Sequence, residues 1–494
     1  MPPRKETAPS VEQTTQQRLA AIIKNARNIM RTDAGLNGDL ERIPQLAMLL
    51  FLKALDDLDD KRKITERDYR PLLPEELRWR TWANNQRLTG PELISFVNET
   101  LIPSLRELRG GQGDKRTLAD EVRAVFAGLD NRMRSGSQLR LLVDELNKIH
   151  FTSSDDIHTM AFLYESMLRE VRDAAGDSGE FYTPRPVIRF MVQQVNPKLG
   201  ETVLDPAAGT GGFLVETLAR LEPQADSSVK RRQLHANVRG VEKKPLPYLL
   251  GTMNLMLHGV DLPQIASANA LTYLRDGSKR TRVDVILTNP PFGAAEERDV
   301  INSFPKGEQS SETAWLFLVT VLEKLTPTGR CGIVVPNSVL FDKTSTPAGI
   351  KEKLLTECNL HTVVRLPEGV FAPYTPIPAN LLFFDKGTPT TETWFYEITP
   401  PEGRKRYSKT RPMQFEEFAD CQAWWESRVE NEHAWKKSVD ELRESGYDLD
   451  VRNPNAAKDL AHRPPAELVA ELIDNEKQIM ALLEELAAIV ESEK

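Results

Sequence analysis

Val283-Asp284-Val285-Ile286-Leu287-Thr288 runs directly into Asn289-Pro290-Pro291-Phe292, and the reading of the whole chain turns on this stretch. The apolar run is that of a buried strand, closed by a rigid turn that passes from polar to aromatic. Such a turn suits chemistry on a flat amino group. The exocyclic amine of a nucleobase is a poor nucleophile, because its lone pair is delocalised into the ring. Two acceptors, the Asn289 amide oxygen and the Pro290 carbonyl, can each take one N–H and turn that lone pair toward an electrophile. Pro290 and Pro291 fix the carbonyl's direction and bring no N–H to compete for it. Phe292 offers a ring face for a base drawn out of its duplex. The same four residues also fit an ordinary strand-to-loop turn.

A second element, Glu201-Thr202-Val203-Leu204-Asp205-Pro206-Ala207-Ala208-Gly209-Thr210-Gly211-Gly212-Phe213, reads as strand, glycine turn and helix start, continuing through Leu214, Leu218 and Leu221. Glycines let a ligand approach the backbone, and free N–H groups at a helix start favour a carboxylate or phosphate. Alone, this loop also fits dinucleotide binding. Val238-Arg239-Gly240-Val241-Glu242 reads as the next strand, with Glu242 at its carboxyl end, where an acid accepts both ribose hydroxyls. The gap from the glycine loop exceeds the roughly 20 residues of a dinucleotide fold, and a polar insertion from Gln224 to Gln233 absorbs the difference.

In the order glycine loop, acid, Asn-Pro-Pro-Phe, the chain resembles the S-adenosylmethionine-dependent amino-methyltransferases. More closely, it is similar to the modification subunits of type I restriction–modification systems, which methylate adenine at N6 in DNA. Gly179-Glu180-Phe181-Tyr182-Thr183-Pro184-Arg185-Pro186 is similar to that family's cofactor motif ahead of the glycine loop. Cys331-Gly332-Ile333-Val334-Val335-Pro336, Leu366-Pro367-Glu368-Gly369-Val370-Phe371 and Tyr447-Asp448-Leu449-Asp450 followed by Asn453-Pro454 fit as well, so the resemblance runs from about Leu40 to the C-terminus.

The resemblance implies an α/β fold, a Rossmann-like S-adenosylmethionine-dependent methyltransferase sheet. It implies that Glu180, Phe181, Tyr182, Thr183, Pro184 and Arg185 line the cofactor's methionine end, with the Thr183 hydroxyl meeting its carboxylate. Gly209, Thr210, Gly211 and Gly212 would form the glycine loop, ordered by Asp205, which also meets the cofactor's amino group. Glu242 would hold the ribose and Asn269 would lie near the adenine, although Ala268-Asn269-Ala270-Leu271 departs from the family's usual Gly-Asn-Thr-Leu. Asn289, Pro290, Pro291 and Phe292 are then the catalytic turn, and Phe371 is either a second stacking face or a core ring.

The length of 494 residues suggests about three domains, and a hydrophobic share of 40% is that of a soluble globular chain. Cys331, Cys358 and Cys421 lack paired metal-ligand spacing, which argues against zinc and fits a reducing cytosol without structural disulfides. The start, Met1-Pro2-Pro3-Arg4-Lys5, lacks the apolar core of a signal peptide, and the longest apolar run, Leu46 to Leu52, is too short to span a bilayer. A cytoplasmic protein without membrane contact is expected.

Residues 1–16 are polar, with Pro2, Pro3 and Pro9, and are expected as a disordered arm. Helical spacing follows in Leu40, Ile43, Leu46, Ala47, Leu50 and Ala54, in Val122, Val125, Phe126 and Leu129, and from Ile157 to Val171, giving an N-terminal all-helical domain over 17–171. Over 172–400, β-rich runs alternate with helical ones, the signature of a parallel sheet wrapped on both faces; its closing strands are Thr362–Leu366, Leu381–Phe384 and Trp394–Ile398. A C-terminal extension, 401–494, is acidic and irregular up to Pro464-Pro465. It ends in a helical tail whose Leu468, Leu472, Asn475, Ile479, Leu482, Leu486 and Ile489 form a coiled-coil-like seam, either for a partner or folded back on its own domain.

The net charge of −8 is awkward for a protein acting on double-stranded DNA, since lysine and arginine contacts to phosphate dominate affinity. The basic stretches Lys230-Arg231-Arg232, Lys243-Lys244 and Arg404-Lys405-Arg406 are more often solvated surface than a phosphate groove. No stretch after the catalytic region reads as a separate basic recognition domain. By resemblance, a specificity subunit reads the target, with two copies of this chain on each, and a restriction subunit is a further candidate partner. Two other readings stand beside this one. An N6-adenine methyltransferase for ribosomal RNA, or a glutamine methyltransferase acting on protein, faces the same lone-pair problem. A catalytically silent assembly subunit keeps the fold as scaffold.

Overall fold

The structure, a computed structural model, describes residues 11–65, 67, 69–111, 116–151, 183–275, 282–293, 295–372, 375, 377–401, 403–408, 410–455, 476–477 and 480. The N-terminal periodicity forms helices Val11–Arg31, Asp39–Thr65, Leu118–Ala127 and Gly136–Leu146 among shorter turns. The recurring Leu46, Ala47, Leu50 and Ala54 are all buried, as are Val122, Val125 and Phe126. Helix starts are set locally: Asp120 accepts the Thr117 N–H at 2.9 Å, and the Ser135 hydroxyl accepts the Gln138 N–H at 3.3 Å. The first helix begins at Val11, inside the stretch expected as an arm. The Ile157–Val171 repeat and every seam position from Leu468 to Ile489 lie outside the described residues.

Nine strands form one sheet: β1 (Val203–Asp205), β2 (Val238–Glu242), β3 (Ile265–Ser267), β4 (Val283–Thr288), β5 (Leu325–Pro336), β6 (Cys358–Arg365), β7 (Ala379–Lys386), β8 (Glu392–Glu397) and β9 (Ala434–Ser438). Their spatial order is 3-2-1-4-5-7-6-8-9. Val285, Ile286 and Leu287 are all fully buried, so this part of β4 is covered on both faces, as three consecutive apolar residues require.

The sheet is not wholly parallel. β7 runs antiparallel to both β5 and β6, and β9 runs antiparallel to β8. A parallel return normally needs a crossover helix, and Pro367, Pro373, Pro376 and Pro378 between β6 and β7 oppose one, so β7 folds back against the strand before it. The reversed strand between β5 and β6 also departs from the dinucleotide order 3-2-1-4-5-6. The sheet passes the expected limit at residue 400. β9 joins it through Trp435, fully buried and stacked on Phe395 with centroids 5.7 Å apart. Residues 401–455 are therefore not irregular throughout; they also supply the helices Ala419–Glu426 and Val439–Glu444.

The helix Pro245–Leu257 joins the helical region to the sheet and is buried along almost its whole length. Its Tyr248 hydroxyl donates to Glu121 Oε2 at 2.9 Å, and Arg116 donates to the same oxygen at 2.8 Å and to the β3 carbonyl of Ile265. Glu121 is fully buried, and burial pushes its carboxyl up to about 7 despite Arg116.

A native carboxyl raised from 4.5 to about 7 holds a proton that the unfolded chain has already released, so stability is fully present below about pH 4.5 and is lost as pH rises through 7. The loss is on the order of 3 kcal/mol. Glu121→Gln is expected to flatten this part of the profile, leaving the share contributed by other buried acids. Calorimetric melting between pH 5 and 8 checks it, and equal slopes for the two proteins would contradict it.

Candidate active site

β1 and β4 are parallel neighbours, Val203 opposite Val285 and Leu204 opposite Ile286. The strand order reverses between them, so the crevice beyond their carboxyl ends is the switch point at which open α/β sheets bind ligands. The glycine loop leaves β1 there and the Asn-Pro-Pro-Phe turn leaves β4 beside it.

The loop is tight. Gly209 and Gly211 have φ of 51° and 77°, in the left-handed region that favours glycine, and Gly211 caps the helix Gly212–Leu221. The Ala208 N–H binds the Val241 carbonyl at 2.9 Å, tying the loop to β2. From the other side comes the helix Pro245–Leu257: a side chain at Gly251 would stand 3.1 Å from the Gly209 carbonyl, and Asn254 Nδ2 donates to the Thr210 carbonyl at 3.0 Å. Asn254 is almost fully buried. Sequence reasoning missed Gly251 and Asn254; the available signal was an amide inside an otherwise apolar helical run.

Two acids stand at the loop. Asp205, at the end of β1, accepts the Ala207 N–H at 3.1 Å; burial, with Glu242 nearby, raises its carboxyl to about 7. Glu242, at the end of β2, accepts the Gly209 N–H at 2.8 Å and the Lys244 N–H at 2.7 Å. Burial raises it as well. Both acids thus brace the loop through its backbone N–H groups.

Thr183, Pro184 and Arg185 arrive at the start of the helix Arg185–Val195, whose N-cap is Pro184. Arg185 Nη1 lies 3.8 Å from where a Gly212 side chain would begin, so this motif adjoins the glycine loop. Glu180, Phe181 and Tyr182 lie outside the described residues. Asn289 Nδ2 donates to the Thr183 hydroxyl at 3.0 Å, which joins the two motifs directly. Asn289 Oδ1 is buried, and among the described residues no donor reaches it. Pro290 is buried, and the Thr313 hydroxyl holds the Pro291 carbonyl at 3.1 Å.

Phe292 is partly buried and meets Phe371 edge-on, with centroids 6.1 Å apart and planes at 68°. A base sandwiched between two rings needs about 7 Å between parallel faces. Phe371, only 4% exposed, therefore backs Phe292 as a core ring in this state. Asn269 follows β3 at the same edge of the sheet, where its Oδ1 caps its own short helix by accepting the Leu271 N–H at 3.1 Å. Among the described residues no group of three or more His, Cys, Asp or Glu is placed to hold a metal ion, and no helix is long and apolar enough to cross a membrane.

Residues 155–463 match the family model described as N-6 DNA methylase, and residues 19–146 match an HsdM N-terminal domain. The chain belongs to the N-6 DNA methylase family. It is 43% identical over 485 residues to the type I restriction enzyme EcoEI methylase subunit of Escherichia coli, covering 96% of this chain and 97% of that one. Against the EcoKI methylase subunit of Escherichia coli strain K12 it is 30% identical, over 72% of this chain and 67% of that one. The crystal structure of a modification subunit from Vibrio vulnificus YJ016 superposes with a TM-score of 0.81 at 49% identity, covering 91% of this chain and 99% of that one. The fold is thus that of the type I methylase subunits, and membership in this family selects an adenine-N6 DNA methyltransferase over the RNA and protein alternatives.

The loop geometry sets two alanine substitutions apart. Gly211→Ala forces a Cβ into the left-handed region and should cost about 1–2 kcal/mol. Gly349→Ala, at an exposed position of the helix Ser345–Glu357 with nothing within 4 Å of the new atom, should gain about 0.5–1 kcal/mol. Denaturant titration of both reads the signs, and a neutral Gly211→Ala would contradict the strained loop.

Proposed function

We propose that this chain is the methyl-transferring subunit of a type I modification complex, with its active site at the β1–β4 switch point. The observation that carries this reading is the buried Asn289 Oδ1, an acceptor left without a donor beside the glycine loop. A buried acceptor without a donor costs about 1–3 kcal/mol, a cost that a substrate N–H removes on arrival.

The residues fit S-adenosylmethionine. The left-handed backbone at Gly209 and Gly211 turns the loop sharply into the helix, and the Gly212 helix start suits a carboxylate. Glu242 has lone pairs remaining for ribose hydroxyls beside the two N–H groups it already accepts. When bound, the cofactor supplies a methyl group on a positively charged sulfur. Asn289 Oδ1 and the Pro290 carbonyl accept the two N–H bonds of the target adenine's amine and direct its lone pair at the incoming carbon. Phe292 supports the base on one face, which requires that the base leave its duplex.

Asn289→Ala removes one of the two amine acceptors and leaves the glycine loop intact. Methyl transfer to DNA should nearly vanish while cofactor affinity, read by calorimetry, stays within a few-fold. Phe292→Ala should instead weaken capture of the base, since stacking is worth about 1–3 kcal/mol. Near-normal turnover by Asn289→Ala would refute the mechanism.

The target and most phosphate contacts are assigned to partners. A chain of net charge −8 is poorly suited to hold DNA alone, and extruding a base costs a few kcal/mol more. A specificity subunit carrying two copies of this chain would let each reach an adenine in one half of a split target, and a restriction subunit would join the same assembly. The purified chain alone should methylate duplex DNA weakly, and the reconstituted complex strongly and at one sequence. Full sequence-specific activity from the isolated chain would overturn the need for a partner.

A further inference from the structure

We propose that Thr183 is a positioning residue that sets which way round the Asn289 amide sits; the proposal rests on Asn289 acting through its oxygen, as argued above. An amide can occupy its site in two orientations that exchange Oδ1 and Nδ2. Only one of them serves this reaction. With Nδ2 donated to the Thr183 hydroxyl at 3.0 Å, Oδ1 is the buried atom with no donor among the described residues. Turned over, the amide would accept from the Thr183 hydroxyl and present its NH2 group to the target amine. Donor would then face donor, and the lone pair would lose one of the two acceptors that direct it.

Thr183 is held well enough to make this choice. It precedes Pro184, whose carbonyl accepts the Val187 and Ile188 N–H groups at 3.0 and 3.1 Å, and both of those side chains are buried. Its β-branched side chain has few rotamers, and proline on its C-terminal side narrows its backbone. The direction of the bond also has a chemical switch. A hydroxyl has one proton to donate and lone pairs to accept with. An acceptor bound next to Thr183, such as the carboxylate expected of the cofactor, engages that proton and leaves only the lone pairs for Asn289. Filling the cofactor site thereby selects the productive amide orientation, and the Thr183 hydroxyl serves both motifs at once.

The test compares Thr183→Val, which keeps the shape and removes the hydroxyl, with Thr183→Ser, which keeps the hydroxyl. Both are assayed in the complete complex by single-turnover methylation at saturating S-adenosylmethionine, with cofactor affinity measured separately by calorimetry. Thr183→Val should slow methyl transfer by roughly ten- to a hundredfold at saturation, because the amide loses its anchor. Its cofactor affinity should fall by no more than about tenfold, the share of one hydrogen bond. Thr183→Ser should recover most of the rate. In an Asn289→Ala background, Thr183→Val should cause no further slowing, since both changes act through one group.

A Thr183→Val rate within twofold of wild type, or a defect that disappears at saturating cofactor, would overturn the positioning role. So would a Ser variant as slow as Val. Asn289→Ala distinguishes the two levels of failure. If it is inactive while Thr183→Val is normal, only the positioning role falls. If it turns over normally, the reading of Asn289 falls and this proposal with it.

Discussion

The hydrogen bond from Asn254 Nδ2 to the Thr210 carbonyl, at 3.0 Å inside the helix Pro245–Leu257, is the contact on which the site's geometry depends. One such bond contributes only about 1 kcal/mol to stability. Its importance is positional, because the same helix brings Gly251 so close that even a methyl group would stand 3.1 Å from the Gly209 carbonyl. A loop braced by backbone contact has little freedom to drift. The helix is in turn held from the far side by Tyr248 on Glu121 and by its packing against the helix Asp39–Thr65. The N-terminal helical region thus acts as a clamp behind the loop, in addition to any contact it makes with DNA.

Much of the site was legible in the sequence because its motifs combine rare residue types with a fixed order along the sheet. Asp205, the glycines, Glu242 and Asn289 each sit at or just past the end of a strand whose apolar run announces it, and neighbouring strand ends converge in an open α/β fold. What escaped was whatever depends on contacts between distant segments. Asn254 carries no motif of its own, and its role appears only once the helix packs on the loop. Trp435-Lys436-Lys437 lacks the alternation of a strand. β9 forms because Trp435 fills a gap beside Phe395, while Lys436 pairs with Glu392 at 2.8 Å. Charged residues on such an edge also discourage further strands from adding. The reversal of β7 was readable in principle from the prolines that precede it, but a parallel sheet was the simpler expectation. Asn269, a motif position by resemblance, has its oxygen engaged in capping its own helix.

Asp205 and Glu242 make the corner between β1 and β2 electrostatically costly. Burial raises both, Asp205 to about 7, and the nearby Glu242 adds to the shift at Asp205. The backbone N–H groups of Ala207, Gly209 and Lys244 offset some of that cost but carry no full charge. A ligand that brings positive charge to this corner lowers both acids and is bound more firmly for it. S-adenosylmethionine, with its sulfonium and amino groups, has that character.

The same acidity is a disadvantage toward the other substrate. A net charge of −8 draws a cationic cofactor but repels a duplex, although at physiological salt the effect fades beyond about 8 Å. One surface cannot be optimised for both. If target reading and phosphate contact belong to a separate subunit, the conflict disappears: an acidic site here would serve the cationic cofactor, and a basic surface on the partner would bring the DNA within reach of Asn289. The acidic balance of the chain and a dependence on a partner would then have a single physical origin.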